Sequence, residues 1–87
     1  MDLVYPKPNS KLFIPRDGTG KAGSAVFQLA HQNAATTVYW YLDGNYLGST
    51  RKTHQLPLSP ASGKHRLTVF DESGESLDET FEVLSDL

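Results

Sequence analysis

The chain has 87 residues, a formal net charge of −2 and no cysteine. Its length predicts one domain, and the lack of cysteine means that neither disulfides nor thiolate zinc sites can stabilise it. The slight negative charge argues against nucleic-acid binding, which usually needs a basic face. No apolar run approaches the ~20 residues required to span a bilayer. The composition therefore predicts a small packed domain that binds no nucleic acid and is not itself inserted in a membrane.

The N-terminal segment 1–10 contains Pro6 and Pro8. Each proline fixes φ and removes a backbone donor, so the pattern favours an extended leader or an interdomain linker. We therefore expect a single folded domain over residues 11–87. The start at Met1 fits either a natural N-terminus or a domain taken from a longer chain.

Residues 12–14 form a short apolar run closed by a proline, which is typical of a first, edge strand. The glycine-rich residues 16–24 are predicted to form a loop. The segment 25–31 is ambiguous. Phe27 and Leu29 alternate with their neighbours as in a strand, whereas several apolar residues also fit a helical stripe. The short length and the flanking loops favour a strand.

The stretch 37–44 is the clearest strand, because aromatic and β-branched residues follow one another without a break. It contains the only tryptophan of the chain, Trp40. Asp43 and Gly44 then supply a turn, since glycine tolerates positive φ and aspartate can bond its own backbone. Residues 45–50 are predicted to return as the hairpin partner.

Side chains point alternately to the two sides of this predicted strand. Val38, Trp40 and Leu42 share one face, which we predict to be core. Tyr39 and Tyr41 share the other face, which is the first place to look for a binding partner.

Three further strands are predicted after this hairpin. Residues 53–58 form a weaker one, which Pro57 and Pro60 are expected to end. Residues 65–70 form a clear one, with Leu67 and Val69 on a single face. Residues 77–84 follow a tight turn and form the last one.

The sequence thus predicts about seven short strands, spaced at roughly 8 to 12 residues with turn signals between them. This pattern is typical of an all-β, immunoglobulin-like β-sandwich of antiparallel strands. A lone tryptophan on a central strand fits the same architecture, although no inter-sheet disulfide exists for it to cover.

Two motifs resemble catalytic or cofactor signatures but lack their context. Residues 18–23 match G-x-G-x-x-G, yet a dinucleotide site needs these glycines between a buried strand and a helix N-terminus. Residues 49–52 match S-x-x-K, but the companion motifs of serine enzymes that react with penicillin are missing. No cofactor is therefore expected, and a loop and a hairpin exit are the better interpretations.

Titratable residues offer a second set of alternatives. The histidines are His31, His54 and His65. No pair has the close spacing of a preformed metal site, so we expect satisfied or exposed strand histidines and no metal. Carboxylates cluster near the C-terminal hairpin: Asp71, Glu72, Glu75, Asp78, Glu79 and Glu82. They suit calcium or acid–base chemistry, but we interpret them as solvated residues that protect strand edges. No nucleophile lies beside a base and an orienting group, so no catalytic residue is predicted and a small hydrolase is the weakest hypothesis.

Aromatic residues provide the one functional clue. If the Trp40 strand and the 65–70 strand are neighbours in one sheet, their outer faces bring Tyr39, Tyr41 and Phe70 together. Such a patch is a candidate binding surface for a protein or for a sugar ring. The alternative is that a flanking strand, the leader or a neighbouring domain covers it.

Three sequence blocks resemble a known family. They are IPRDGT at 14–19, YWYLDG at 39–44 followed by Leu47-Gly48, and GKHRLTVFDESG at 63–74. In this order they resemble the C-terminal domain of class A penicillin-binding proteins of the 1C type, over residues 11–83. The segment before the last block lacks the tryptophan that relatives often have there.

The resemblance implies a non-catalytic accessory module of a membrane-anchored, peptidoglycan-synthesising enzyme, located in the periplasm. Its partners would be another protein, domains of the parent enzyme, or the peptidoglycan glycan. The residues shared with the family are interpreted structurally. Trp40 fills the core, and Asp71 caps the turn that follows it. Tight turns are expected at Gly44, Gly63 and Gly74.

Overall fold

The computed structural model describes residues 1–13, 25–33 and 35–84. Within these residues the chain forms eight strands. They are β1 (Asp2–Tyr5), β2 (Lys11–Phe13), β3 (Ala25–Ala30), β4 (Thr37–Leu42), β5 (Asn45–Arg51), β6 (Gln55–Leu58), β7 (Gly63–Asp71) and β8 (Ser76–Leu84). The described part of the chain has no helix that could cross a membrane.

The strands form two sheets. The smaller sheet has the order β1-β3-β6 and the larger one has the order β2-β8-β7-β4-β5. All pairs are antiparallel except β2 and β8, which run parallel. The predicted all-β, immunoglobulin-like sandwich is confirmed, and so is the strand predicted for the ambiguous segment that became β3.

The core lies between the two sheets. Its buried apolar side chains are Leu12, Phe27, Leu29, Val38, Trp40, Leu67, Val69, Phe81 and Val83. Phe27 of the smaller sheet meets Phe81 of the larger one edge to face, with ring centroids 5.3 Å apart. The indole of Trp40 is fully buried, and its Nε1–H donates to Thr50 Oγ1 at 2.9 Å. The indole therefore fills the core without leaving its polar atom unsatisfied.

Strand β4 has the alternation that its sequence predicts. Val38 and Trp40 are buried and Leu42 is half-buried, while Tyr39 is exposed and Tyr41 is half-buried on the opposite side. The pleat thus separates a dry side from a wet side, because successive side chains point to opposite faces.

The turn between β4 and β5 consists of Asp43 and Gly44, with φ values of 51° and 82°. Positive φ at both positions is typical of a type I′ hairpin turn, whose twist matches that of the flanking strands. The Asp43 carboxylate differs from the sequence expectation. The sequence predicts a hydrogen bond from this side chain to the backbone of its own turn. Instead, Oδ1 of Asp43 accepts a hydrogen bond from the backbone N–H of Arg66 on β7 at 2.8 Å.

The predicted leader needs a correction, because residues 2–5 are strand β1 of the smaller sheet. Leu3 pairs with Leu29 of β3 and packs against the core. The prolines, on which the prediction of an extended leader rested, lie only after this strand, where the chain leaves through a cis Tyr5–Pro6 bond. Pairing with β3 satisfies backbone groups that a leader would expose to water.

Pro57 lies inside β6 and does not end it, in contrast to the prediction. Strand β6 is at the edge of the smaller sheet, where a missing backbone donor is tolerated. The predictions for Ile14 and the loop 16–24, including the G-x-G-x-x-G motif, lie outside the described residues.

Candidate functional site

The outer side of the larger sheet carries a cluster of aromatic rings. Strands β4 and β7 are neighbours, and Tyr39 is paired with Phe70 across them. The rings of Tyr41 and Phe70 meet edge to face with centroids 5.7 Å apart. Tyr39, Tyr41 and Phe70 therefore lie together, as the sequence predicts. Their role in binding stays a prediction.

A fourth ring, Tyr46, joins this cluster from β5. It is paired with Tyr41, and the two ring centroids are 5.3 Å apart. Tyr46 was not among the residues predicted from the sequence, although a two-residue turn at 43–44 places residues 41 and 46 directly opposite each other. We call Tyr39, Tyr41, Tyr46 and Phe70 the aromatic face.

The aromatic face is accessible in the described structure. Tyr46 is 56% exposed, and Tyr39 and Phe70 are 38% and 39% exposed. The rings contact one another at steep angles, 89° for Tyr41 with Phe70 and 58° for Tyr41 with Tyr46. They therefore present both edges and faces to solvent rather than one flat platform.

An exposed ion pair borders the aromatic face. Arg66 donates from Nε and Nη2 to the two carboxylate oxygens of Asp78, at 3.1 and 2.7 Å. Thr68 also donates to this carboxylate. The hydrogen bonds from Arg66 and then from Thr68 lower the pKa of Asp78. The pair fixes the charges beside the rings, although exposed pairs add little stability.

Asp71 at the end of β7 differs from the solvated carboxylates predicted in this region, because it is buried. Its Oδ1 accepts hydrogen bonds from Ser73 N, Ser73 Oγ and Glu75 N, at 2.7 to 2.9 Å. These bonds close the turn before β8, in which Gly74 has a φ of 91°. The role of turn cap that the family resemblance implies for Asp71 is thus observed.

The second oxygen of Asp71 contacts His31. Nε2 of His31 lies 2.8 Å from Oδ2 of Asp71, while Nδ1 of His31 accepts from the backbone N–H of Asn33. Since Nδ1 accepts, the proton is on Nε2 and faces the carboxylate. Hydrogen bonds from Ser73, then from His31, hold the pKa of Asp71 well below its usual range.

His31, Asp71 and Glu75 place potential metal-ligand atoms within 4.8 Å of one another. However, both nitrogens of His31 and both oxygens of Asp71 are already engaged in hydrogen bonds. A cation would have to replace these bonds, so the arrangement is better explained as the structural link between the β3 end and the β7–β8 turn.

Each of the remaining two histidines also forms a hydrogen bond through its ring. His54 is buried, and its Nδ1 lies 2.8 Å from Thr50 Oγ1, which in turn accepts from the Trp40 indole. His65 lies between two acceptors. Its Nδ1 is 2.6 Å from Asp43 Oδ2, and its Nε2 is 2.6 Å from the carbonyl oxygen of Ala61.

Two acceptors require two ring N–H groups, so His65 is an imidazolium in this geometry. Burial lowers the pKa of His65, but the hydrogen bonds to Asp43 and Ala61 outweigh burial, and the net pKa is raised above 6.5. The hydrogen bond from His65 correspondingly lowers the pKa of Asp43. The ring also stacks on Phe81, at 5.5 Å and 29°. We call His65 with its partners Asp43, Ala61 and Phe81 the clamp. The clamp joins the β4–β5 turn, the loop before β7 and the end of the core.

The clamp predicts a pH dependence of stability. Because the folded pKa of His65 is raised, its stabilising effect is fully present below 6.5 and is lost as the pH rises through the folded value. We expect the free energy of unfolding to fall by about 0.5 to 1 kcal/mol over this range. Urea unfolding at a series of pH values measures how the free energy of unfolding changes with pH. A His65→Gln variant with the same pH dependence as the wild type would contradict the assignment of this effect to His65.

The two-sheet arrangement with a buried tryptophan between the sheets defines an immunoglobulin-like β-sandwich. Among solved structures, the chain is similar to the fibronectin(III)-like modules of Clostridium thermocellum CbhA. The TM-score is 0.62 and the identity is 15%, over 95% of this chain and 92% of that chain. At this identity the similarity shows the fold alone. A comparison with curated proteins found no match.

The model of the penicillin-binding protein C-terminus family matches residues 1–82. The chain belongs to this family. The resemblance inferred from the three sequence blocks is thereby confirmed. The match begins at residue 1, so it includes strand β1.

Proposed function

We propose that the chain is a non-catalytic accessory module of a peptidoglycan-synthesising penicillin-binding protein, and that it acts by contact with a partner protein or with domains of its parent enzyme. Family membership supports the accessory role. The proposed location is the periplasm, as the C-terminal part of a membrane-anchored protein. No cofactor is required for this role.

The observation that carries the proposal is the aromatic face. Rings from β4, β5 and β7 are contiguous on the outer side of the larger sheet and accessible among the described residues. Tyrosines bury a large area at low conformational cost and keep a polar tip, which makes them frequent anchors of protein interfaces. The face is therefore suited to a contact that excludes water from the rings.

The second candidate is a carbohydrate-binding module that stacks glycan rings on the same residues. Exposed tyrosines on a sheet favour it, since a sugar ring can lie on an aromatic face. The steep angles between the rings, 89° and 58°, favour the protein contact instead, because a protein surface can fill the gaps between tilted rings and a flat sugar cannot.

We expect saturable binding between this domain and the catalytic region of its parent enzyme, with a Kd below about 100 μM. The double variant Tyr39→Ala, Phe70→Ala should weaken it at least about tenfold, because aromatic anchors dominate interface energies. Titration of the isotope-labelled domain, followed by NMR, measures both values. Val26→Thr is the matched control, since Val26 is also apolar and 44% exposed but lies on the other sheet.

The same titration with soluble, peptide-free glycan fragments separates the two candidates. One outcome would contradict the protein contact and support glycan binding. It is that glycan, but not the catalytic region, causes saturable NMR shifts at Tyr39, Tyr41 and Phe70. Equal affinities of the wild type and the double variant for the catalytic region would remove the aromatic face from the proposal.

A further inference from the structure

A cleft of about 500 Å³ lies on the larger sheet, and none of its lining residues belongs to the aromatic face. Its polar side chains come from β7, β8, β2 and the residues just before β2. They include Asn9, Lys11, Lys64, Arg66, Thr80 and Glu82. This volume is within the range of small-molecule and peptide sites. Arg66 and Phe70 are four residue steps apart along β7, which is about 13 Å.

The register explains why these side chains share one side of the sheet. Arg66 is paired with Thr80, and Lys64 with Glu82, which also pairs with Lys11 of β2. All five alternate with the buried residues of their strands, so they point away from the core. Pairing across three strands thus places Lys64, Glu82 and Lys11 in one row.

The charges of the cleft do not cancel. Arg66 is neutralised by Asp78, and His65, another lining residue, is paired with Asp43. Lys11 and Lys64 are exposed, and neither forms an ion pair with any residue that the structure describes. Two lysines therefore face one glutamate, which leaves an excess positive charge in a chain whose net charge is −2.

Further hydrogen-bond donors complete the site. Oδ1 of Asn9 accepts from Thr80 Oγ1 at 2.9 Å, so the amide nitrogen of Asn9 remains to donate. Asn9 is held over β8 because its backbone N–H donates to the Thr80 carbonyl at 2.8 Å. Arg66 uses Nε and Nη2 for Asp78, and Nη1 is left. These donors and the lysine ammonium groups suit a carboxylate.

We propose that this cleft binds a carboxylate-bearing peptide segment. The sign pattern favours a peptide over a polyanion, because Glu82 lies between the two lysines and would repel a continuous row of phosphates. A peptide that alternates carboxylates with neutral residues places its charges on Lys11 and Lys64 and avoids Glu82. The cleft shares no residue with the aromatic face, so this inference is tested independently of the proposed function.

The probe is a capped pentapeptide that contains glutamates, titrated into the full isotope-labelled chain and followed by NMR. We expect saturable shifts at Lys64, Thr80 and Lys11, and none with the corresponding glutamine peptide. Lys64→Gln and Lys11→Gln should each weaken binding about fivefold, the size of one well-placed exposed ion pair. Lys52→Gln is the matched control, because Lys52 is equally exposed but lies between β5 and β6.

Three results would overturn this inference. One is the absence of saturable shifts with the glutamate peptide. Another is unchanged affinity in both lysine variants while their spectra stay well dispersed, which shows that they fold. The third is binding of tripolyphosphate at least as tight as that of the peptide, which would indicate a general anion site instead of a peptide site.

Discussion

Replacement of Trp40 by alanine is expected to cost about 3 to 5 kcal/mol of folding free energy. The indole is fully buried between the sheets, and its removal leaves a cavity that two hydrogen-bonded sheets cannot collapse to fill. A domain of this length has about 4 to 13 kcal/mol of stability in total. The loss is therefore a large share of the total, and the variant should unfold at a much lower temperature than the wild type. Urea unfolding followed by circular dichroism at 10 °C and 25 °C measures the loss.

Two variants make this result interpretable. Trp40→Phe keeps most of the ring but removes the N–H that donates to Thr50, so we expect a smaller loss of about 1 to 2 kcal/mol. Tyr39→Ala is adjacent in sequence but on the outer side, where the pairing with Phe70 contributes about 1 kcal/mol or less. A similar loss in Tyr39→Ala and Trp40→Ala would contradict the assignment of β4 faces.

Replacement of Asp71 by asparagine should have the next largest effect. The carboxylate is buried and accepts from Ser73, Glu75 and His31. In asparagine one carboxylate oxygen is replaced by an NH2 group, which donates hydrogen bonds and cannot accept them. This NH2 group would face N–H or O–H groups that also donate, so buried polar atoms are left without partners. We expect the melting temperature to fall by at least about 5 °C. Differential scanning calorimetry measures it.

The same substitution should alter the response to acid. The hydrogen bonds lower the folded pKa of Asp71 below the ordinary value of 3.8. Its stabilising effect is therefore fully present above pH 3.8 and is lost as the pH falls below it toward the folded value. The wild type should lose stability on acidification below pH 4 more steeply than Asp71→Asn. Glu72→Gln is the control, since Glu72 is exposed and accepts a hydrogen bond from the backbone N–H of Thr37. Parallel acid profiles of all three proteins would refute the role of Asp71.

Local patterns in the sequence were sufficient to predict most strands. The alternation of apolar and polar residues in 37–42 predicted which side chains of β4 are buried, because a pleat has a period of two. The dipeptide Asp43-Gly44 predicted a tight hairpin, and that hairpin already implied the partnership of Tyr41 and Tyr46. Strand β1 was not predicted, because Pro6 and Pro8 favour an extended leader and this prediction was extended to the whole segment 1–10.

The polar clusters could not be predicted in the same way. His65 and Asp43 are 22 residues apart, His31 and Asp71 are 40 apart, and Asn9 and Thr80 are 71 apart. Each contact depends on which strands are neighbours and in what register. A short-range pattern carries no information about either.

The amino-acid sequence by itself determined the all-β class, the buried side of the Trp40 strand and membership of the family, because each depends on residue types at short and regular spacing. Only the tertiary structure decided that the acid at the end of β7 is buried, that the N-terminal residues complete the smaller sheet, and that two lysines from distant segments flank one cleft. The physical reason is that burial, hydrogen bonding and charge pairing depend on distance in space, which strand order and register set once the chain has folded.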